Sequence, residues 1–152
     1  VVLNAGGMSG GTSRASDGGP LTMFAVDALG HTALLAELVR LDKLPPNAPI
    51  VMSGTFAARG SPAMGLPLPK YPAAADADSL ASLVTGEGVQ PLTHEMVYAY
   101  AKGMMALYGG AFARRHPKAK YLARAGAVAR AAKEGARVGC AGVVCASRLS
   151  SR

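Results

Sequence analysis

The 152-residue chain holds only two cysteines, Cys140 and Cys145. They lack the second pair that a four-ligand zinc site requires, and they read as free thiols. His31, His94 and His116 are scattered without paired spacing, so no metal site is expected. No uncharged apolar run reaches the roughly 18 residues that span a membrane, and Val1-Val2-Leu3-Asn4 lacks the positive stretch of a secretory signal. The expectation is a soluble intracellular protein, cytoplasmic unless an organelle houses it. Acidic residues almost disappear late in the chain: residues 1–100 carry 8 Asp/Glu and 5 Lys/Arg, whereas residues 101–152 carry Glu134 alone against 11 Lys/Arg. The net charge of +7 is therefore a property of one segment. Aromatics are scarce there as well, Phe112 and Tyr121 being the only ones after Tyr108, which denies the segment a base-stacking surface. Nucleic acid is not expected as a partner.

What is present suffices for one modest core, since half of the residues are apolar. Val1-Val2-Leu3 is an apolar run that stops at Asn4-Ala5-Gly6-Gly7, the way a buried parallel strand ends in a glycine-rich turn. From Leu21 to Leu41, Phe24, Leu29, Leu34, Leu35, Leu38 and Leu41 recur at near-helical spacing with no proline among them. Pro45-Pro46-Asn47 ends that helix, and Ile50-Val51-Met52 gives a second strand closing on Ser53-Gly54-Thr55. Strand, helix, strand in this order implies parallel pairing in an α/β sheet. Residues 57–92 are rich in Pro, Ala, Gly and Ser and read as a long excursion without a period of its own. A second helix is expected from Thr93 to Arg115, with Thr93 as its cap. Past Tyr121 the composition turns to Ala, Arg and Gly; an alanine-rich helix over residues 122–137 fits it, and no final strand stands out. The organisation expected is a unit over residues 1–121 and an atypical basic tail over 122–152.

Tyr98 and Lys102 stand four apart, so their side chains leave one face of the second helix a turn from each other. An ammonium beside a phenol favours the phenolate and brings its proton within reach of transfer near neutral pH. The pair alone is a weak signal, equally at home on an amphipathic surface. Ser53 and Asn4 add weight because both sit where strands end, and open α/β sheets place ligands outside the carboxyl ends of their strands.

Asn4-Ala5-Gly6, then Phe24 to His31, then Ile50 to Thr55, then Tyr98-Ala99-Tyr100-Ala101-Lys102 follow one another in an order that resembles the short-chain dehydrogenases/reductases over about residues 1–120. The Ser-Gly-Thr segment with its proline-rich insertion looks nearest to the protochlorophyllide-reductase-like or retinol-dehydrogenase-like branch. The resemblance implies part of a Rossmann-type doubly wound parallel sheet that lacks its N-terminal cofactor-binding strands. It further implies hydride transfer between NADP or NAD and a carbonyl or alcohol substrate, in a family where homo-oligomers occur. Tyr98 would be the general acid/base, and Lys102 would lower its pKa and bond the nicotinamide ribose. Ser53 would hold the substrate oxygen, while Asn4, Ala5 and Gly6 would line the cofactor's adenosine side. Asp27 falls where many members carry an asparagine of the proton relay. The Gly6-Gly7-Met8-Ser9-Gly10-Gly11 stretch is not read as the family's phosphate loop, because no helix opens directly behind it. The competing expectation is a fragment without activity that serves as a binding or interaction module.

Overall fold

The computed structural model describes residues 1–8, 12–61, 65–72, 76–89, 91–117 and 120–125. Its centre is an open parallel sheet of three strands in the order β1 (Val2–Leu3), β2 (Pro49–Gly54) and β3 (Lys120–Ala125). Val2 pairs with Val51 and Leu3 with Met52, while β2 and β3 run in register from Pro49 opposite Lys120 to Gly54 opposite Ala125. Proline at the first residue of β2 is where a missing N–H disturbs the ladder least.

Helix α1 (Thr22–Arg40) joins β1 to β2. Its interior widens into a π-turn over Ala25–Leu29, a local rewinding that is rare and often marks a functional position. The helix stops in a Schellman arrangement: Asp42 adopts φ 51, its N–H reaches the Val39 carbonyl, and the Lys43 N–H returns to the Leu38 carbonyl. By length and a hydropathy of 1.3 the same helix could cross a membrane, but those features also belong to core helices. Here Phe24, Ala28 and Leu35 are fully buried.

Helix α3 (His94–Arg115) joins β2 to β3 and begins as its sequence foretells, the Thr93 hydroxyl accepting the Met96 N–H. The excursion between β2 and α3 is less irregular than its composition suggests. A 3₁₀ turn spans Phe56–Arg59, and helix α2 spans Ala77–Thr85, capped by Asp76 accepting from the Ser79 N–H and ended by left-handed Gly86. Strand β3 is a second correction. Residues 120–125 extend the sheet where composition alone showed no final strand, so the division between 121 and 122 falls inside an element. Residues 126–152, with the proposed alanine-rich helix, Cys140 and Cys145, lie outside the described part.

Helices α1 and α3 pack against each other, so among the described residues both crossovers share one face of the sheet. Two apolar clusters result. Leu21, Met23 and Phe24 of the α1 region meet Leu83, Met96 and Val97 beyond the sheet. Ala28, Leu35, Met105 and Phe112 cover Leu3, Ile50 and Met52 on the sheet itself. On the other side of the strand alternation Val2 is 71% exposed, against 2% for Leu3.

Leu35 is fully buried over the sheet. Leu35→Ala is expected to cost about 2–5 kcal/mol, through lost burial and the cavity left behind. Denaturant unfolding checks this, and a loss below about 0.5 kcal/mol would contradict so complete a burial of this side chain.

Candidate functional site

Turn, π-segment and helix meet at one ion pair. The π-turn of α1 directs Asp27 inward and the fourth residue after Tyr98 on α3 directs Lys102 toward it, with Lys102 Nζ 3.0 Å from Asp27 Oδ1. The two side chains are 4% and 0% exposed. Asp27 Oδ1 also accepts the Gly7 N–H at 3.1 Å, which ties the turn after β1 to both helices. Gly6 makes that approach feasible. It holds φ 142, and a Cβ there would sit 1.7 Å from Asp27 Oδ1 and 3.0 Å from Lys102 Nζ.

Electrostatically the site is demanding. Burial pushes the Asp27 carboxyl above its ordinary range, and the Lys102 ammonium and Gly7 N–H pull it back. Asp27 Oδ2 is buried without a hydrogen-bond partner among the described residues, as is His31 Nε2 one helical turn on. Burial and the Lys102 charge lower the His31 pKa, so its imidazole is neutral at pH 7, and its ring bonds the Asp27 carbonyl.

Tyr98 stands beside this pair, partly buried, with the Lys102 ammonium 5.8 Å from its ring centroid. The sequence reading has Lys102 lowering the phenol pKa; the structure turns the direction round. Burial raises it, the Asp27 carboxylate raises it further, and only the Thr55 hydroxyl bonded to the phenol oxygen pulls it down. The reason is geometric. Lys102 is neutralised by Asp27 and faces the ring of Tyr98.

At the strand ends, Ser53 Oγ donates to Asn4 Oδ1, joining the two residues singled out at the carboxyl edge. Asn4, Ala5 and Gly6 are exposed there. Thr55, two residues past Ser53, is the partner of the Tyr98 hydroxyl and was not singled out from the sequence; nor was His31, whose burial next to Asp27 no spacing rule reveals. Among the described residues no three His, Cys, Asp or Glu side chains gather as a metal site. A hollow of about 340 Å³ lined by Val39, Asp42, Leu44, Arg115 and His116 lies at the opposite end of the sheet, where α1 and α3 finish.

No family model, curated protein or solved structure matches this chain. The site therefore stands on its own geometry: a protonated phenol, a threonine bonded to it, and a serine–asparagine pair on the neighbouring strand ends, all anchored to a buried carboxylate–ammonium contact.

Asp27→Asn removes the negative charge that disfavours the Tyr98 phenolate, so the Tyr98 pKa is expected to fall. Breaking the pair is also expected to cost about 3 kcal/mol, because Lys102 keeps a buried charge. Tyrosine-labelled NMR titration and denaturant unfolding read the two effects, and an unchanged Tyr98 titration would show that the Asp27 charge does not reach the phenol. Gly6→Ala drives a methyl into the same contact and is expected to destabilise by about 3 kcal/mol or more by the same route.

Proposed function

We propose that this chain carries the proton-transfer centre of an NAD(P)-dependent oxidoreductase of the short-chain dehydrogenase/reductase type, working chiefly in the direction that reduces a carbonyl. The observation that carries the reading is Tyr98: a phenol held in its protonated form by burial and by Asp27, four residues before a buried lysine and beside the strand ends that carry Asn4 and Ser53. In this reading the three-stranded parallel sheet belongs to a doubly wound Rossmann-type domain.

Each residue has a task in that chemistry. Tyr98 donates its proton to the oxygen of a carbonyl as negative charge develops there, and Thr55 steadies the phenolate left behind through its hydrogen bond. Ser53 supplies a second donor to the same oxygen once its hydroxyl turns away from Asn4. Asp27 and Lys102 hold the helix that carries Tyr98 in position. A bound nicotinamide cofactor supplies the hydride. The residues fit that group only in part. Asn4, Ala5 and Gly6 are exposed along an edge that could line it, but the Lys102 ammonium is turned into Asp27, and no described glycine-rich turn opens a helix for its phosphates. No step is therefore assigned to Lys102 at the cofactor.

That partial fit favours a second reading, in which the chain retains the architecture of the site and acts as a binding module without turnover. Titrating the recombinant chain with NADPH and NADH, by cofactor fluorescence and by calorimetry, separates the two. Saturable binding supports the enzyme; no binding of either at millimolar concentration overturns it.

The pH dependence follows from the raised Tyr98 pKa. Reduction needs the phenol, so its kcat/KM is expected to stay flat between pH 6 and 9 and to fall only at more alkaline pH. Oxidation needs the phenolate, so its kcat/KM is expected to climb roughly tenfold per pH unit across that range. A reduction rate that halves between pH 6 and 8 would assign proton donation to another group.

A further inference from the structure

The ion pair between α1 and α3 uses only half of the Asp27 carboxylate. Oδ1 accepts from Lys102 Nζ at 3.0 Å and from the Gly7 N–H at 3.1 Å, whereas Oδ2 is buried and accepts from no described group. Nε2 of His31, a residue 7% exposed, shares that condition. His31 follows Asp27 by four positions on α1, so the two side chains lie a turn apart, and each feels the other's charge. The His31 ring is bonded to the Asp27 carbonyl; with Nε2 unpartnered, the nitrogen that donates there is Nδ1. The neutral imidazole therefore presents Nε2 as an acceptor, and Oδ2 is an acceptor too. Neither satisfies the other, and one proton on Nε2 supplies the donor that Oδ2 lacks.

Charge counting decides when that proton is admitted. With Lys102 inward the cluster holds one ammonium and one carboxylate, 4% and 0% exposed, and an added imidazolium would leave this interior with a net positive charge. The charges that act on the imidazole are those of Lys102 and Asp27. Among the described residues, α3 otherwise brings the phenols of Tyr98 and of Tyr108, which donates to the Thr32 carbonyl, and the turn after β1 brings the Gly7 N–H. No second carboxylate is among them. Lys102 is the member free to leave: its ammonium ends a flexible four-carbon stem, whereas His31 is tied by its ring to the Asp27 backbone and Asp27 to the turn.

We infer that His31 is the reserve partner of Asp27: when Lys102 turns outward, His31 takes a proton on Nε2 and donates that N–H to Asp27 Oδ2, so the buried carboxylate exchanges one cation for another. The proton comes from solvent, the new bond is the N–H on Nε2, Lys102 stays an ammonium, and the charge of the chain rises by one. His31 is a positioning residue, since it acts on Lys102 through Asp27. The exchange does not rest on the proposed hydride chemistry.

A wild-type chain labelled with nitrogen-15 and carbon-13 reports the exchange in an acid titration by NMR. As His31 Nε2 takes up its proton, the Lys102 ammonium is expected to pass from protected to fast exchange with water at the same midpoint, while the Asp27 carboxyl carbon keeps its ionised shift. An Asp27 that protonates before His31, or a Lys102 ammonium that stays protected while His31 titrates, overturns the inference. Lys102→Met removes the first cation in advance. There the His31 pKa is expected to rise from below its ordinary value of 6.5 to above it, and Lys102→Met/Asp27→Asn to lose most of that rise. A His31 still titrating below 6.5 in Lys102→Met overturns the inference as well. The two chains also answer acid in opposite senses. A lowered His31 pKa in the folded wild type withdraws stability as pH falls from about 7.5 to about 5.5, and a raised one adds it. The urea midpoint of Lys102→Met should therefore rise over that range relative to Lys102→Met/His31→Gln, where that of the wild type falls relative to His31→Gln. The wild-type titration decides the matter alone where Lys102→Met does not fold.

Discussion

The buried contact between Asp27 and Lys102 is the constraint on which the rest of the fold depends. It lies at the seam of the two apolar clusters. On α1, Phe24 belongs to the cluster beyond the sheet and Ala28 to the one over it; on α3, Ala101 belongs to the first and Met105 to the second. Asp27 and Lys102 fall between those pairs on both helices. Apolar side chains alone would tolerate a slide of one helix along the other with little change in area removed from water. A carboxylate and an ammonium that are 0% and 4% exposed tolerate none, because either one displaced would be a buried charge without a partner. The pair thus acts more through register than through net stability, and the Gly7 N–H extends the same register to the turn after β1.

The π-turn follows from that geometry. Inserting a wider turn at Ala25–Leu29 changes which way successive side chains leave the helix, and it lets Asp27 enter the interior while Phe24 and Ala28 stay fully buried on either side. The cost is an incompletely satisfied interior, with Asp27 Oδ2 and His31 Nε2 lacking hydrogen-bond partners among the described residues. Such a cost is commonly met where a charge arrangement matters more than maximal stability.

Much of the scaffold was legible because local chemistry and tertiary demand agree there. Apolar runs ending in Asn4-Ala5-Gly6 and Ser53-Gly54 became parallel strands, and Thr93 became the cap of a helix ending at Arg115. What escaped the sequence reading is short or compositionally masked. The nine-residue helix Ala77–Thr85 lies among prolines and glycines and declares itself only through Asp76, three residues before Ser79, and through Gly86. Strand Lys120–Ala125 carries charged residues at alternate ends of a short run and owes its form to pairing with β2. At the site, the juxtaposition of Asn4 with Ser53 and of Tyr98 with Lys102 was legible from strand ends and helical spacing. The partner of Lys102 was not. A fourfold spacing says which side chains share a helix face and nothing about a carboxylate arriving from another helix 75 positions earlier in the chain.

That unseen partner alters the chemical meaning of the Tyr–Lys spacing. A lysine lowers a neighbouring phenol's pKa only while its charge is uncompensated at the phenol; with Lys102 paired to Asp27, burial raises the Tyr98 pKa and the Asp27 carboxylate raises it further. To bring its charge to bear on Tyr98, or on any ligand, Lys102 has to leave Asp27. The carboxylate could then remain buried only by taking up a proton or by finding another donor. The one backbone donor already in place is the Gly7 N–H, on the turn where Asn4, Ala5 and Gly6 form an exposed rim. That rim is therefore tied through one hydrogen bond to the contact that keeps Lys102 inward. The turn after β1, the inward position of Lys102 and the raised pKa of Tyr98 thus meet at a single carboxylate, Asp27.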